Sequence, residues 1–213
     1  MEKILSLTLR AFCQAVASDA FSPGGGVASA YAGALGASLG HMVLMLTIGK
    51  RQYTEFDADN TRLKTELEKL GEDLLQCVER DHKGCERVLE VMAMPKDTEP
   101  EKAIRKAAMA EASKQANGAP LDICRYSLQV LKLLKKGISR VNRKCLTDWA
   151  CGALHAYAGL EGAAMNAKIN CGSVDDPKYC HEVQDQVRIW LGEGRALLDE
   201  IRNQVHSHLD ASN

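Results

Sequence analysis

The sequence predicts an all-α fold, a single-domain multi-helix bundle with long antiparallel helices that spans residues 1–213. Apolar residues recur every three or four positions, and no run of alternating apolar and polar residues is long enough for a sheet. The chain has only five prolines and 5% aromatic residues, and the abundant Ala, Leu, Lys and Glu favour helices. No internal repeat, low-complexity tract or long linker interrupts the pattern, so we expect one domain.

Three helices are predicted in the first half of the chain. An amphipathic helix at 4–18 is broken by Ser22-Pro23-Gly24-Gly25-Gly26, and a second helix runs from about 27 to 48. The third, at about 57–92, is the most regular because its stripe keeps a spacing of threes and fours, as in a coiled coil. The stripe consists of Leu63, Leu67, Leu70, Leu74, Cys77, Asp81, Cys85, Val88 and Met92.

The fourth and fifth predicted helices are separated by a turn. Thr98 and Glu101 have the spacing of a capping box, so a helix starts there and continues to about residue 115. Residues 117–120, Asn-Gly-Ala-Pro, predict a turn. The fifth helix then covers about 121–136 and ends at Gly137, a residue type that often ends helices.

Two more helices complete the prediction. Thr147 or Asp148 is the expected N-cap of a sixth helix that lasts until Asn170. Pro177 lies in the first turn of a seventh helix, where its missing N–H leaves no hydrogen bond unmade.

Charge and composition exclude several classes of partner. The 27 basic and 28 acidic residues nearly cancel, which argues against nucleic acid, whose binding depends on clustered positive charge. Residues 1–10 do not resemble a signal peptide, so we expect a cytoplasmic protein. The eight cysteines form no CxxC pair and are expected to be core thiols.

Residues 27–48 are almost free of charge and about as long as a membrane span. Their content of Gly, Ala and Ser, and the absence of a second such segment, favour a buried helix of a soluble protein. We therefore expect no membrane partner.

Small residues recur at helical spacing on one face of the second helix and on one face of the sixth. A glycine inside a helix costs about 1 kcal/mol relative to alanine, so such faces indicate close packing against another helix or another subunit. The small residues are Gly33, Gly36 and Gly40 in the second helix, and Gly152, Ala156, Gly159 and Ala163 in the sixth.

The face of the second helix has a glycine-rich loop at one end and Lys50 at the other. Backbone N–H groups at the start of a helix can bind an anion, so Pro23, Gly24, Gly25 and Gly26 form either an anion site or a simple turn. The loop has neither the spacing of a P-loop nor that of a dinucleotide fingerprint.

Asp81 occupies a position in the apolar stripe where the period calls for Leu or Val. Loss of hydration raises the pKa of a carboxylate, so Asp81 is a candidate for proton transfer, unless it pairs with a core cation or reaches the rim of the bundle. Asn166 and Asn170 continue the small-residue face of the sixth helix, and buried amides must bond each other, backbone or a ligand. Asp148 is either a helix cap or a functional carboxylate.

No metal site is expected. Glu79 and His82 form one Glu-x-x-His pair, whereas a di-iron bundle needs two such pairs and two further carboxylates.

Several of these features occur together in one known family. Ser22-Pro23-Gly24-Gly25-Gly26, followed by Ala-Gly-Ala-Leu-Gly-Ala at 32–37, resembles the formiminotransferase-cyclodeaminase family, which includes stand-alone bacterial enzymes. The segment 46–53, Leu-Thr-Ile-Gly-Lys-Arg-Gln-Tyr, looks like the next motif of that family. The segments around Asp81, 94–96, Thr147-Asp148 and 166–170 follow in the family's order, so the resemblance covers about the first 170 residues.

Two departures from the family pattern bear on substrate preference. Val27 stands where the family commonly has Ser after the three glycines. Before Thr147 the family often has Gly-Asn-x-Asn, but residues 141–144 are Val-Asn-Arg-Lys and only Asn142 is kept.

The resemblance implies an obligate homodimer with a folate site near the subunit interface, no tightly bound cofactor, and a tetrahydrofolate derivative as the substrate. The implied reaction converts 5-formiminotetrahydrofolate to 5,10-methenyltetrahydrofolate with release of ammonia. One alternative is a cyclohydrolase that opens the methenyl bridge to 10-formyltetrahydrofolate. The other is a non-catalytic folate-binding or helical scaffold protein.

The resemblance also suggests roles for individual residues. Asp81 or Asp148 is the expected proton carrier, and Lys50 is the expected catalytic cation. The expected substrate-binding residues are Pro23, Gly24, Gly25, Gly26, Tyr53, Asn142, Thr147, Asn166 and Asn170.

Overall fold

Seven α-helices make up most of the structure, a computed structural model that describes residues 4–211, and no strand occurs in that range. Short 3₁₀ segments at Ile4–Ser6, Arg51–Phe56, Arg143–Cys145 and Cys171–Ser173 precede or connect them. The predicted all-α class is therefore confirmed. The helices are α1 (Leu9–Val16), α2 (Gly25–Met45), α3 (Asp57–Met92), α4 (Glu99–Ala116), α5 (Gly118–Gly137), α6 (Leu146–Asn170) and α7 (Pro177–Asp210).

Local sequence signals explain several helix ends. α3 has the predicted bounds, and Thr98 caps α4 through the predicted reciprocal bonds with Glu101. The predicted first helix is instead a 3₁₀ segment followed by α1, because Thr8 caps a new start by accepting a hydrogen bond from the Ala11 N–H.

Two predicted boundaries are wrong. The expected turn at 117–120 is the first turn of α5, where the missing N–H of Pro120 removes no intrahelical bond. α6 begins at Leu146, and its N-cap residue Cys145 makes no side-chain capping bond. Thr147 and Asp148 therefore lie within the first turn of α6 and do not cap it.

The long helices run antiparallel to their main neighbours. Along α2, Gly26, Gly33 and Gly40 meet Asp81, Leu74 and Leu67 of α3 in descending order. α6 also runs opposite to α2, and α5 lies behind the pair, in contact with α2, α3, α6 and α7. This arrangement confirms the predicted bundle of long antiparallel helices.

The two small-residue faces pack against each other within one chain. A Cβ atom on Gly36 would lie 2.6 Å from the Gly152 carbonyl oxygen, and one on Gly159 would lie 2.8 Å from the Gly33 backbone nitrogen. The backbones of α2 and α6 thus touch directly, and no methyl group fits at these positions. The partner of each face is a helix of the same chain, so a second subunit is not needed to cover it.

α2 is a central helix of this bundle. By length and composition it is long and apolar enough to cross a membrane, with a mean hydropathy of 1.3 over its most apolar 18 residues. Contacts with α3, α5 and α6 bury 56% of that window inside the protein. Its apolar character is accounted for by this packing.

The stripe of α3 leaves the core halfway along the helix. Leu63, Leu67 and Leu74 are buried, and Cys77 is the last fully buried member. Asp81, one turn later, is only partly buried, as are the stripe positions that follow it, and Met92 is exposed. The second half of the stripe therefore borders a cleft.

Candidate functional site

A cleft of about 150 Å³ opens at the N-terminus of α2. Three other helices enclose it: α3 beyond its buried half, the C-terminal end of α4 and the C-terminal end of α6. The lining residues are Phe21, Ser22, Gly24, Gly25, Gly26, Asp81, Cys85, Val88, Ala116, Asn166 and Asn170.

The Asp81 carboxylate lies against the first turn of α2. Both of its oxygens occupy the space that a side chain at Gly26 would fill, and the Val27 backbone N–H bonds the carboxylate. Burial raises the pKa of Asp81 to about 6, although the Val27 N–H and the charge of His82 oppose this rise. A carboxyl group with this pKa can both accept and release a proton near neutral pH.

Two predicted amides lie on the opposite side of the cleft. The Asn166 Nδ2 donates to the Gly162 carbonyl at 2.8 Å, and the same side chain lies 3.4 Å from the position of a Cβ on Gly25. Asn170 is the last residue of α6 and also lines the cleft. The structure therefore brings the glycine loop, Asp81 and both asparagines together, with Pro23 buried next to the loop but not lining the cleft.

The other predicted site residues lie at the far end of the bundle. α2 has 21 residues, which at 1.5 Å per residue separates its two ends by about 30 Å. Lys50, Tyr53, Asn142, Thr147 and Asp148 all follow the C-terminus of α2 or surround the N-terminus of α6. Within one chain none of them lines the cleft that contains Asp81.

Two of these distant residues use their polar groups to hold the backbone together. The buried Asn142 donates from its side chain to the Leu46 carbonyl at 3.2 Å and accepts from the Lys144 N–H at 3.2 Å. The Tyr53 hydroxyl accepts from the Arg143 N–H at 3.1 Å. Lys50 and Thr147 are exposed and Asp148 is partly buried, so among the predicted residues at this end these three side chains are accessible to a ligand.

Five residues that line the cleft lie outside the predicted set, namely Phe21, Ser22, Cys85, Val88 and Ala116, and His82 lies behind Ser22. Ser22 Oγ is 2.6 Å from His82 Nδ1, and Cys85 Sγ is 3.8 Å from the Phe21 carbonyl oxygen. Burial raises the pKa of the Cys85 thiol. Cys85 and Val88 follow Asp81 at i+4 and i+7, so the stripe itself could have predicted them once Asp81 was placed in a cleft. His82 lies off the stripe and had no such signal.

Among residues 4–211, no three His, Cys, Asp or Glu side chains converge as a metal site. A groove of about 450 Å³ along α4 is lined by four cations, and three of them already have partners. Lys102 bonds Glu99, Lys106 pairs with Asp175, and Arg105 donates to backbone carbonyls.

Comparisons with known proteins identify relatives over nearly the whole chain. A methenyltetrahydrofolate cyclohydrolase of Methylorubrum extorquens is 36% identical over 203 residues, covering 95% of this chain and 98% of the relative. A formimidoyltransferase-cyclodeaminase of Sus scrofa is 30% identical over 194 residues, or 91% of this chain, but only 36% of that longer protein is matched.

The fold is shared with a solved structure. A formiminotetrahydrofolate cyclodeaminase from Thermotoga maritima superimposes with a TM-score of 0.77 over 98% of both chains, at 23% identity. A sequence model of formiminotransferase-cyclodeaminase matches residues 8–189. The chain therefore belongs to the formiminotransferase-cyclodeaminase family.

Proposed function

We propose that the protein hydrolyses the bridge of 5,10-methenyltetrahydrofolate to give 10-formyltetrahydrofolate, with Asp81 as the proton carrier. The observation that carries this proposal is the partly buried Asp81 carboxylate, whose pKa of about 6 suits proton transfer, facing the glycine loop and two amides. The relative that matches this chain from end to end bears the name of this activity, which is why we place hydrolysis before ammonia release.

The chemistry needs a base and an acid at one carbon atom. The methenyl bridge is cationic, so a carboxylate beside it stabilises the bound substrate electrostatically. Asp81 removes a proton from the water that attacks the bridge carbon, and the protonated carboxyl then returns that proton to the folate N5 as the bond between N5 and carbon breaks. The hydroxyl of the adduct loses its remaining proton, which leaves for solvent, and becomes the formyl oxygen. These steps need only water and proton transfers, so the proposal includes no tightly bound cofactor.

The asparagines and the glycine loop supply the orienting contacts in this proposal. The second Nδ2 hydrogen and the Oδ1 of Asn166 remain available after its bond to Gly162, and a pterin ring offers both donors and acceptors. The first N–H groups of α2 suit the carbonyl or anionic parts of the folate. The eight cysteines are all free thiols, which fits the reducing cytoplasm in which we place this reaction.

The second candidate reaction is cyclisation of 5-formiminotetrahydrofolate with release of ammonia. The matching family model and the shared fold support it. The same carboxyl would protonate the departing nitrogen of the tetrahedral adduct, so the site chemistry suits both reactions.

The ultraviolet absorbance of the methenyl bridge distinguishes the two reactions. Purified protein is added to 5,10-methenyltetrahydrofolate in one cuvette and to 5-formiminotetrahydrofolate in another, each beside an enzyme-free control. Accelerated loss of absorbance in the first supports hydrolysis. Growth of absorbance in the second, with ammonia released, supports cyclisation. If neither absorbance changes, both proposed activities are wrong and a binding or scaffold role is favoured.

We further propose that the protein is a homodimer whose folate site combines both ends of the α2/α6 layer. α5 covers the back of α2 and α6, whereas Met42 and Met45 of α2 and Leu154, Met165 and Ile169 of α6 are exposed, Ile169 by 76%. Large exposed apolar patches usually mark interaction surfaces. The cleft of about 150 Å³ in one chain is also smaller than the roughly 300–1,000 Å³ of typical ligand pockets.

A two-fold dimer through this face would complete the cleft. Because α2 and α6 are antiparallel, Lys50 and Asp148 lie at one end of this face and the glycine loop lies at the other. A two-fold axis reverses the second copy end to end, which brings its Lys50 and Asp148 towards the glycine loop of the first. Each site would then combine Asp81 from one subunit with Lys50 and Asp148 from its partner.

Mixed dimers test this arrangement. Asp81→Asn and Lys50→Ala chains are each expected to be nearly inactive alone. Random pairing of equal amounts makes half of the dimers mixed, and one of the two sites in a mixed dimer carries neither change. Co-refolding should therefore recover about a quarter of the wild-type activity. No recovery, from mixed dimers isolated by two different tags, would contradict the composite site.

A further inference from the structure

A chain of proton-carrying side chains leads from the cleft to the surface. Ser22 lines the cleft together with Asp81, and its Oγ is 2.6 Å from His82 Nδ1. On the other side of the ring, His82 Nε2 is 3.7 Å from Glu86 Oε1. The His82 side chain is only 17% exposed, whereas that of Glu86 is 36% exposed. The three groups thus connect the cleft with solvent.

The proposed reaction requires such a connection. Hydrolysis converts a cationic methenyl compound and one water molecule into a neutral formyl compound, so one proton is released to solvent in each turnover. In the alternative reaction the direction is opposite, because ammonia release takes up one proton from solvent. A folate that fills the cleft also shields the Asp81 carboxylate from bulk water. The proton therefore needs a route through protein groups.

We propose that Ser22, His82 and Glu86 form a proton relay that exchanges the proton of the Asp81 site with solvent, an inference that rests on the proposed function. The Ser22 hydroxyl receives a proton from a water or substrate atom in the cleft as it gives its own to His82 Nδ1. The imidazolium then releases the Nε2 proton to Glu86 or to water, and no bond other than O–H and N–H bonds changes. His82 and Glu86 act through Ser22 and do not touch the substrate.

A purely structural role for the same contacts predicts a different result. The Ser22–His82 bond and the Cys85–Phe21 contact both hold the loop that precedes α2 against α3. If that were all, removing His82 would disturb the loop, and no small base in solution could compensate. A relay, by contrast, can be replaced in part by a diffusing proton carrier.

The experiment measures turnover of 5,10-methenyltetrahydrofolate by the full chain at several imidazole concentrations and constant ionic strength. In dilute buffer, His82→Gln and Ser22→Ala should lower kcat by at least about tenfold, less than the roughly 10²–10⁴-fold of a group that transfers the proton directly, because water can replace part of a relay. Rising imidazole should restore much of the lost kcat. Ser22→Thr, which keeps the hydroxyl, should retain near-normal turnover.

His181→Gln is the matched control. His181 also pairs with an acid one turn later, at 3.2 Å from Asp185, but its side chain is 77% exposed on α7. It should turn over normally at every imidazole concentration. The fold of each variant is checked by its thermal unfolding midpoint. If His82→Gln fails to fold, the Ser22→Ala and Ser22→Thr pair decides the question alone.

The outcomes separate this relay from the proposed function. Suppose that the wild type is active but that His82→Gln has a normal kcat, or a lowered kcat that imidazole does not restore. Either result overturns the relay and leaves the proposed function unaffected. A folded wild type that acts on neither the methenyl nor the formimino compound overturns both.

Discussion

Replacement of Asp81 by Asn should make the protein more stable and far less active at neutral pH. The carboxylate is largely shielded from water beside the first turn of α2, and burial raises its pKa from 3.8 to about 6. Asparagine has nearly the same shape and can still accept the Val27 N–H, but it carries no charge. The variant therefore resembles the protonated form of Asp81 at every pH.

The size of the effect follows from the two pKa values. Because the folded chain binds the Asp81 proton more tightly than the unfolded chain, the wild type loses stability as pH rises from about 4 to about 6. A shift of about two pKa units corresponds to about 3 kcal/mol. Above pH 7 the Asp81→Asn variant should thus be more stable by up to about 3 kcal/mol, or about 6–12 °C in the unfolding midpoint.

Turnover should change in the opposite direction. Loss of a positioned general acid or base typically lowers the rate by about 10²–10⁴-fold, and the variant should fall in that range. For the wild type, activity that needs the ionised carboxylate should fall about tenfold per pH unit below pH 6. The gain in stability and the loss of turnover in Asp81→Asn thus have one cause, the removal of the Asp81 charge.

The assay is thermal unfolding at a series of pH values from 4 to 8, beside initial rates on the methenyl compound. The gain in stability should vanish near pH 4, where Asp81 is protonated in both states. Asp199→Asn, which removes an exposed carboxylate 3.7 Å from Arg202, should change stability by less than about 1 kcal/mol. An Asp81→Asn variant that is less stable than wild type above pH 6 would refute the reasoning, because the carboxylate would then be a net stabilising cap of α2.

Three further substitutions and one control test the packing and capping of the helices. Gly36→Ala would place a methyl group 2.6–2.8 Å from backbone atoms of α6, so it should lower the unfolding midpoint by about 4–8 °C, a loss of about 2 kcal/mol. The control is Gly192→Ala, whose methyl group would have nothing within 4 Å. It should instead increase the free energy of unfolding by up to about 1 kcal/mol. Equal effects of these two would show that α2 and α6 are not in backbone contact. Gly26→Ala should displace the Asp81 carboxylate and lower kcat by at least about tenfold, because a displaced carboxyl loses part of the roughly 10²–10⁴-fold that a positioned proton carrier contributes. Circular dichroism should stay unchanged, and a normal kcat would place the carboxylate elsewhere. Thr98→Ala should reduce the free energy of unfolding by about 1 kcal/mol through loss of the capping box, measured by urea unfolding; an unchanged midpoint would mean that the box adds nothing.

Local sequence signals were sufficient for most of the fold. The spacing of Leu63 to Met92 and the capping pair at Thr98 and Glu101 have direct physical consequences, so α3 and the start of α4 were predicted correctly. The turn expected before α5 was wrong because Pro120 fits either a turn or a first helical turn. The choice between a turn and a first helical turn depends on how the residues after Pro120 contact the core. The spacing of apolar residues carries no information about those contacts.

The site was only half predictable for a geometric reason. Asp81 was identified because its polarity breaks a periodic pattern, and it lies in the cleft. Lys50 and Tyr53 came with a sequence motif, and motifs carry no information about which end of a helix they occupy. Only the length of α2 in the structure shows that Lys50 and Tyr53 lie far from Asp81. Their roles remain predictions that depend on the second subunit.

The direct backbone contact between α2 and α6 also limits how the protein can move. Side chains that interlock can change rotamer and let two helices adjust, but the seam at Gly36 and Gly152 contains no side chain that could do so. Motion there requires whole helices to slide as rigid bodies. The stretch from Ala17 to Gly24 is tied to α3 mainly by the Ser22–His82 bond and the Cys85–Phe21 contact. Substrate entry and product release should therefore be gated by this short stretch, with the helical frame as its fixed support.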